Sequence, residues 1–255
     1  MTELASPQRE STEPPSPRSP GTSVQSYLDE DSRPVPASLR YDINEDLGTA
    51  PLDIDRYISR EFHDREVEKV WRKVWQFVCR EDHIPNAGDH ITYDIVDDKL
   101  IVMRQPDGSI KALYNVCLHR GRALRQEGGR VSELRCPFHG FTWNIDGTLK
   151  NLPCAWDFPE IDPTNLPLPE AKVAVWNGFV FINQDPDAEP LESFLGSMLN
   201  DWERWNYDDR VVYSHFGGVI DCNWKVAGEA FIEGFHSLAT HPQMMEWLGD
   251  ENTQY

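Results

Sequence analysis

Apolar residues early in the chain recur at helical spacing. Val67, Val70, Trp71 and Val74 fall on one face, and Ser59 stands where a cap belongs, so the pattern predicts a helix over 60–74. The period then changes to that of short strands punctuated by turns. Residues 91–96 and 100–104 read as strands around Asp97-Asp98, and Asp107-Gly108 precedes a third over 110–116. A short strand follows at 134–136, and Asp146-Gly147 marks another hairpin. Asn177-Gly178 joins 173–176 to 179–183. An antiparallel β domain is therefore expected over 75–186. Beyond Asp185-Pro186, Leu191, Phe194, Leu195, Met198 and Leu199 predict an amphipathic helix over 191–205. Residues 211–220 read as a strand, and 223–241 as a mostly helical stretch closed by Pro242. Residues 1–40 are rich in Pro, Ser and Glu and poor in aromatics. They cannot bury enough apolar surface to offset the entropy of ordering and read as a disordered tail, with a polyproline II docking segment as the alternative. Order is expected from Tyr41, with segments at 41–74, 75–186 and 187–255.

Charge narrows the partners. Lys plus Arg number 24 against 43 Asp plus Glu, a net charge of −19. Nucleic acid and anionic membrane surfaces are poor partners for such a chain. It shows neither an apolar run of transmembrane length nor a signal-peptide core. Of the five cysteines, Cys79, Cys154 and Cys222 are scattered, which fits reduced thiols and a cytoplasmic location.

The chemistry concentrates in two loops, Cys117-Leu118-His119-Arg120-Gly121 and Cys136-Pro137-Phe138-His139-Gly140, with sixteen residues between His119 and Cys136. This C-x-H…C-x-x-H pair matches the ligation of a Rieske [2Fe–2S] centre, in which Cys117 and Cys136 bind one iron and His119 and His139 the other. Neutral imidazoles in place of two thiolates leave less negative charge on the cluster. They raise its potential to roughly −150 to +300 mV, against about −400 mV for an all-Cys plant-type ferredoxin. A Cys₂His₂ zinc site is the competing reading. The order of ligands, the glycine closing each loop and the strand-like flanks weigh against it.

A second group of candidate ligands is His236 and His241, with Glu233 three residues before the first. Five residues turn an ideal helix by roughly 140° past a full turn, so the two imidazoles converge only if the helix ends or bulges between them. Alone, the pattern reads more readily as structural histidines than as a metal site. His63, His83, His90 and His215 read as surface or structural histidines, and the nine tryptophans as core and interface. The acidic surface reads as solvated, with docking of a basic electron-transfer partner as the alternative.

Together the two motifs, with Asn223-Trp224-Lys225 upstream of the second, resemble the large (α) subunit of Rieske non-heme iron oxygenases, the aromatic-ring-hydroxylating dioxygenase family. The likeness runs from Tyr41 to Pro242. It implies an α+β chain: an antiparallel β Rieske [2Fe–2S] domain over 75–186 and the N-terminal part of a helix-grip-type catalytic domain over 187–255. Residues 41–74 would pack on the latter. His236 and His241 would be ligands of a mononuclear Fe(II). Glu233 would bridge that iron to the Rieske centre of a neighbouring subunit, where many members carry Asp, and Glu229 receives no role. The third ligand of the family's iron, a carboxylate far downstream, has no counterpart among Glu246, Asp250 and Glu251, so the chain reads as an N-terminal fragment.

The implied activity is O₂-dependent hydroxylation of an aromatic or related organic substrate, as in aromatic hydrocarbon catabolism. NAD(P)H electrons would arrive through a reductase, with or without a ferredoxin, in a homotrimer or an α/β hetero-oligomer. The alternatives are a Rieske monooxygenase acting by N- or O-dealkylation or hydroxylation, and a Rieske electron-transfer protein without its own catalysis.

Overall fold

The computed structural model describes residues 28–40, 50–234 and 236–244. They fall into two compact units, Ser59–Gly218 and a second one drawn from residues up to Ile58 and from Val219 onward. The expected disorder over 1–27 and the onset of order at Tyr41 lie outside the described residues. Within 28–40, Ala37–Arg40 forms a 3-10 turn, and Arg40 pairs with Asp29 at 2.7 Å.

Ser59 caps α1 (Arg60–Glu66), its side-chain oxygen accepting the Phe62 N–H at 3.3 Å. The regular helix is shorter than the spacing predicts. From Val67 to Trp71 the backbone widens into a π-helical turn, with Arg72 N–H reaching back five residues to the Val67 carbonyl. The four residues of the predicted apolar face are all half-buried.

Ten strands follow: β1 (Gln76–Arg80), β2 (Asp89–Ile95), β3 (Asp98–Arg104), β4 (Ile110–Tyr114), β5 (Gly129–Arg130), β6 (Glu133–Arg135), β7 (Thr142–Asn144), β8 (Leu149–Asn151), β9 (Glu170–Trp176) and β10 (Phe179–Asn183). Every pairing is antiparallel. One sheet runs β1-β10-β9-β4-β3-β2-β5 and a smaller one β6-β7-β8. The Asn177-Gly178 hairpin forms as expected. Trp176 pairs with Phe179, and both loop residues have positive φ, +49° and +75°, as a two-residue turn matching strand twist requires. Between β2 and β3 the loop sits one residue earlier than expected. Ile95 pairs with Asp98, which leaves Val96-Asp97 to turn, and Val96 takes φ +54°, an unfavourable value for a β-branched residue.

Leu100, Ile101, Val102 and Met103 in β3 are all fully buried because cores lie on both faces of this central strand. Leu100 and Val102 pack with Ile84, Ala112, Val180 and Ile182. Ile101 and Met103 face the other way, toward Leu113, Leu134, Trp143 and Leu168, and that second core also contains Cys117 and Cys136. Trp143 is fully buried, and its indole N–H donates to the Leu166 carbonyl at 3.0 Å.

Three predicted elements change form. The helix over 191–205 divides into α2 (Leu191–Leu195), α3 (Met198–Trp202) and a 3-10 turn at Glu203–Trp205. The break is Gly196, whose φ +53° and ψ −127° suit glycine alone. The predicted strand over 211–220 has no ladder partner among the described residues. Val211, Tyr213, Phe216, Val219 and Ile220 are 72–100 % exposed. A strand exists only by pairing, so extended sequence without a partner stays irregular. The stretch 223–241 is not one helix: it holds α4 (Trp224–Glu229) and α5 (Ser237–Thr240), separated by irregular backbone.

No helix among the described residues is long and apolar enough to cross a membrane. All five cysteines are free thiols.

Candidate metal centres

The two Cys-His loops differ in histidine spacing yet fold the same way. In the first, Cys117 N–H donates to the Arg122 carbonyl (2.8 Å) and Gly121 N–H to the Cys117 carbonyl (2.9 Å). In the second, Cys136 N–H donates to Phe141 (2.8 Å) and Gly140 N–H to Cys136 (3.1 Å). Each is a tight loop closed five residues on, with glycine at the fifth position in the left-handed region, φ +74° at Gly121 and +79° at Gly140. β4 delivers the first loop, and β6 and β7 hold the second. Asn115 braces the first from below: its side-chain oxygen accepts the Leu124 and Arg125 N–H groups (2.8 and 2.9 Å), and its amide donates to the Arg125 carbonyl at 2.7 Å.

This backbone places four side chains as two pairs. Cys117 and Cys136 are buried at 2 % exposure and lie in one core cluster. His119 and His139 sit further out, half-buried and exposed, with ring centroids 4.8 Å apart. Phe141 stacks on His119 at 4.9 Å with the rings 10° from parallel, and Phe138 lies 3.9 Å from His139. Burial pushes the Cys117 thiol up, against the pull of the His119 and Arg120 backbone N–H groups. For Cys136 burial acts the same way, but the Phe138 and His139 N–H groups, the bond from Cys117 and the Arg122 charge outweigh it and hold this thiol down. The N–H groups thus favour the thiolate at Cys136, whereas burial outweighs them at Cys117. Burial, His139 and Arg120 lower the affinity of His119 for a second proton, which favours the neutral, ligating imidazole.

Among the described residues, no three His, Cys, Asp or Glu side chains converge as one metal ion would require. The loops offer instead two sulfurs and two nitrogens in separate pairs, a donor set that suits a two-iron cluster with two protein ligands on each iron.

The second candidate group lies in the other unit. His236 precedes α5 and His241 ends it, leaving the helix at φ −126°, ψ 50°. That exit brings the two rings to 5.5 Å between centroids, which a continuous helix over the pair would prevent. Glu233 sits in the irregular stretch before α5, not one helical turn before His236 as expected. It nevertheless accepts both the His236 ring N–H at Nδ1 (2.6 Å) and its backbone N–H (3.2 Å). The carboxylate thereby fixes the ring orientation and leaves Nε2 free for a ligand. Upstream, Asn223 caps α4 and also donates to the Tyr57 carbonyl at 3.1 Å, while Tyr57 donates its hydroxyl to Glu229 at 2.7 Å. That contact raises the Tyr57 pKa and gives Glu229 a partner that sequence reading missed, 172 residues away. Of the four histidines outside the motifs, His90 is buried. Its Nε2 accepts from Arg125 at 3.2 Å, which puts its proton on Nδ1, 3.2 Å from the Gly88 carbonyl.

Comparison with known families matches residues 74–176 to the Rieske [2Fe-2S] domain and residues 199–254 to the ring hydroxylating alpha subunit catalytic domain. The chlorobenzene dioxygenase α subunit of Cupriavidus sp. (strain PS12) is 32 % identical over 191 residues, covering 72 % of this chain and 42 % of that protein. The biphenyl dioxygenase α subunit of Paraburkholderia xenovorans (strain LB400) is 30 % identical over 224 residues, covering 81 % and 47 %. Among solved structures, a quaternary ammonium Rieske monooxygenase bound to L-carnitine superposes with a TM-score of 0.71 at 26 % identity, over 76 % of this chain and 56 % of that one. A naphthalene 1,2-dioxygenase variant bound to phenanthrene gives 0.68 at 30 % identity, over 74 % and 44 %. The chain spans about half the length of the relatives it matches.

Proposed function

The chain belongs with the Rieske-domain ring-hydroxylating α subunits, joining a Rieske [2Fe–2S] domain to a segment of their catalytic domain, and on that premise we propose that it serves O₂-dependent hydroxylation of an aromatic or related organic substrate. The observation that carries the reading is the paired loop geometry: two buried thiols in one core cluster beside two adjacent imidazoles. In this assignment Cys117 and Cys136 would hold one iron of the cluster and His119 and His139 the other. His236 and His241 supply two ligands to a mononuclear Fe(II). When bound, the cluster supplies single electrons and the mononuclear iron binds and activates O₂. Electrons come from NAD(P)H through a reductase, directly or by way of a ferredoxin, and the α subunits assemble as a homotrimer or with β subunits.

The chain's own residues perform definable tasks. The loop N–H groups stabilise the thiolates and set the cluster's electrostatics. Phe141 shields one face of His119 from water. Glu233 orients His236 and links this iron to the cluster of a neighbouring subunit. We assign 75–186 to the Rieske domain, 187–255 to the catalytic domain, and 41–74 to a segment packing on the latter. The monooxygenase reading uses the same residues. It is favoured by the overlay on the quaternary ammonium monooxygenase, and the number of O₂-derived oxygen atoms in the product separates the two.

Glu233→Gln in the metal-loaded protein tests the assignment. Both metals are expected to stay bound, while the reduced cluster fails to reoxidise with O₂ and substrate. Normal single-turnover reoxidation would contradict the role of Glu233.

A further inference from the structure

Two buried polar side chains, Asn115 and His90, fasten the first cluster loop. Asn115 is 3 % exposed and stands two residues before Cys117, with its own N–H donating to the Lys99 carbonyl in β3 at 2.8 Å. Its side-chain bonds to Leu124 and Arg125 tie the exit of the loop to its entry. Arg125 is fastened a second time, through its side chain. A guanidinium stays charged and can only donate, so its half-buried Nε–H needs an acceptor, and it has one in Nε2 of His90 at 3.2 Å. His90 is 2 % exposed in β2 and donates from Nδ1 to the Gly88 carbonyl. A connected chain of bonds therefore runs from β2 through His90, Arg125 and Asn115 to the loop.

The chain closes only while His90 is neutral. Both nitrogens of a protonated imidazole are donors. Nε2 would then turn an N–H toward the Arg125 N–H and set a second positive charge beside the guanidinium. Burial and Arg125 already hold the His90 pKa below its ordinary value, against the opposite pull of the Gly88 and Glu127 carbonyls and of Asp89 on the same strand. Asp89 is shared with Asn86 and with Arg130, 3.7 Å away. Met103 and Gly129, opposite His90 on β3 and β5, carry no charge.

We infer that His90 and Arg125 form an acid-sensitive latch on the first cluster loop: neutral His90 holds Arg125, and with it the loop of Cys117 and His119, and protonation of His90 releases them. Both are positioning residues. The latch stands on bonds within the chain, and its consequence for the cluster rests on the Rieske reading above.

The test is amide hydrogen exchange on the cluster-loaded chain from about pH 8 to about pH 5, read as protection factors, with the cluster's visible absorbance followed in parallel. In the wild type, protection at Leu124 and Arg125, the amides that Asn115 holds, should stay level down to about pH 6.5 and then fall about tenfold. Amides of β3, which report global unfolding, should lose less. His90→Gln keeps an acceptor for Arg125 and cannot take up charge, so its loop profile should be level. Arg125→Met removes the bond and the opposing charge, so protection should be low at every pH without an acid step. Arg125→Lys keeps a donor and the charge and should retain the step. If His90→Gln does not fold, the Arg125→Met and Arg125→Lys pair carries the test. Cluster absorbance should fade in acid more slowly in His90→Gln than in the wild type. An acid step of unchanged size in His90→Gln or Arg125→Met overturns the proposal. So does a wild type without a step, or one whose β3 amides lose as much protection as the loop. Equal fading in wild type and His90→Gln overturns the role of the latch at the cluster. A chain with no Rieske spectrum defeats the Rieske reading instead, and the exchange profiles still decide the latch.

Discussion

His119 and His139 reach the surface while Cys117 and Cys136 stay buried, so the two ends of the proposed cluster see different surroundings. Replacing a neutral imidazole by a thiolate adds negative charge to the cluster and disfavours reduction. His119→Cys is therefore expected to lower the potential measured by redox titration toward the all-Cys range near −400 mV. An unshifted potential would mean that His119 is not a ligand. His90 gives a prediction about pH. Burial depresses its folded-state pKa, so the folded protein binds fewer protons there than the unfolded chain. The stability it contributes is present above the unfolded value, about 6.5, and is lost as pH falls from there toward the lower folded pKa. Urea midpoints of the wild type should thus fall between about pH 7.5 and pH 5.5, and His90→Gln should flatten that part of the profile. The candidate ligands were legible in the sequence because their chemistry resides in residue type and short spacing. Phe141 under His119, Arg125 on His90 and Tyr57 on Glu229 were not, because each partnership depends on how distant segments pack.

At the scale of elements, the hairpins were the most readable part of the fold. Asn177-Gly178 and Asp146-Gly147 encode their turns locally, and both glycines take the positive φ that such turns need. What failed were elements whose form depends on remote partners: the strand over 211–220, which has no ladder partner among the described residues, and the helix over 223–241, whose apolar spacing did not reveal the break before His236. β3 shows the converse case, since its run of four buried apolar residues reflects cores on two faces. The Asn177-Gly178 turn also supports chain far beyond itself. Arg80 donates to the carbonyls of Asn177, Tyr207 and Arg210 at 2.5, 2.8 and 2.9 Å, and its guanidinium lies over the Phe179 ring at 4.5 Å. A Cβ on Gly178 would stand 2.6 Å from the Arg80 guanidinium, at a φ of +75°. Gly178→Ala is expected to cost about 1–2 kcal/mol in urea unfolding from the backbone term alone. It should also loosen the segment around Tyr207, seen as faster amide exchange there. Unchanged exchange at 207–210 would show that Arg80 does not hold that segment.

At the scale of the whole molecule, the Ser59–Gly218 unit contains both cluster loops and both cores, and the second unit contains Glu233, His236 and His241. Apolar side chains from Val211 to Ile232 are exposed in the described residues. Composition set useful limits at this scale, in that net charge argued against nucleic acid. The central claim is that Cys117, His119, Cys136 and His139 carry a Rieske cluster, and the most direct measurement is the iron, zinc and acid-labile sulfide content of the purified chain. The account predicts two irons and two sulfides per chain, both lost in Cys136→Ser. One zinc per chain with no sulfide would contradict it.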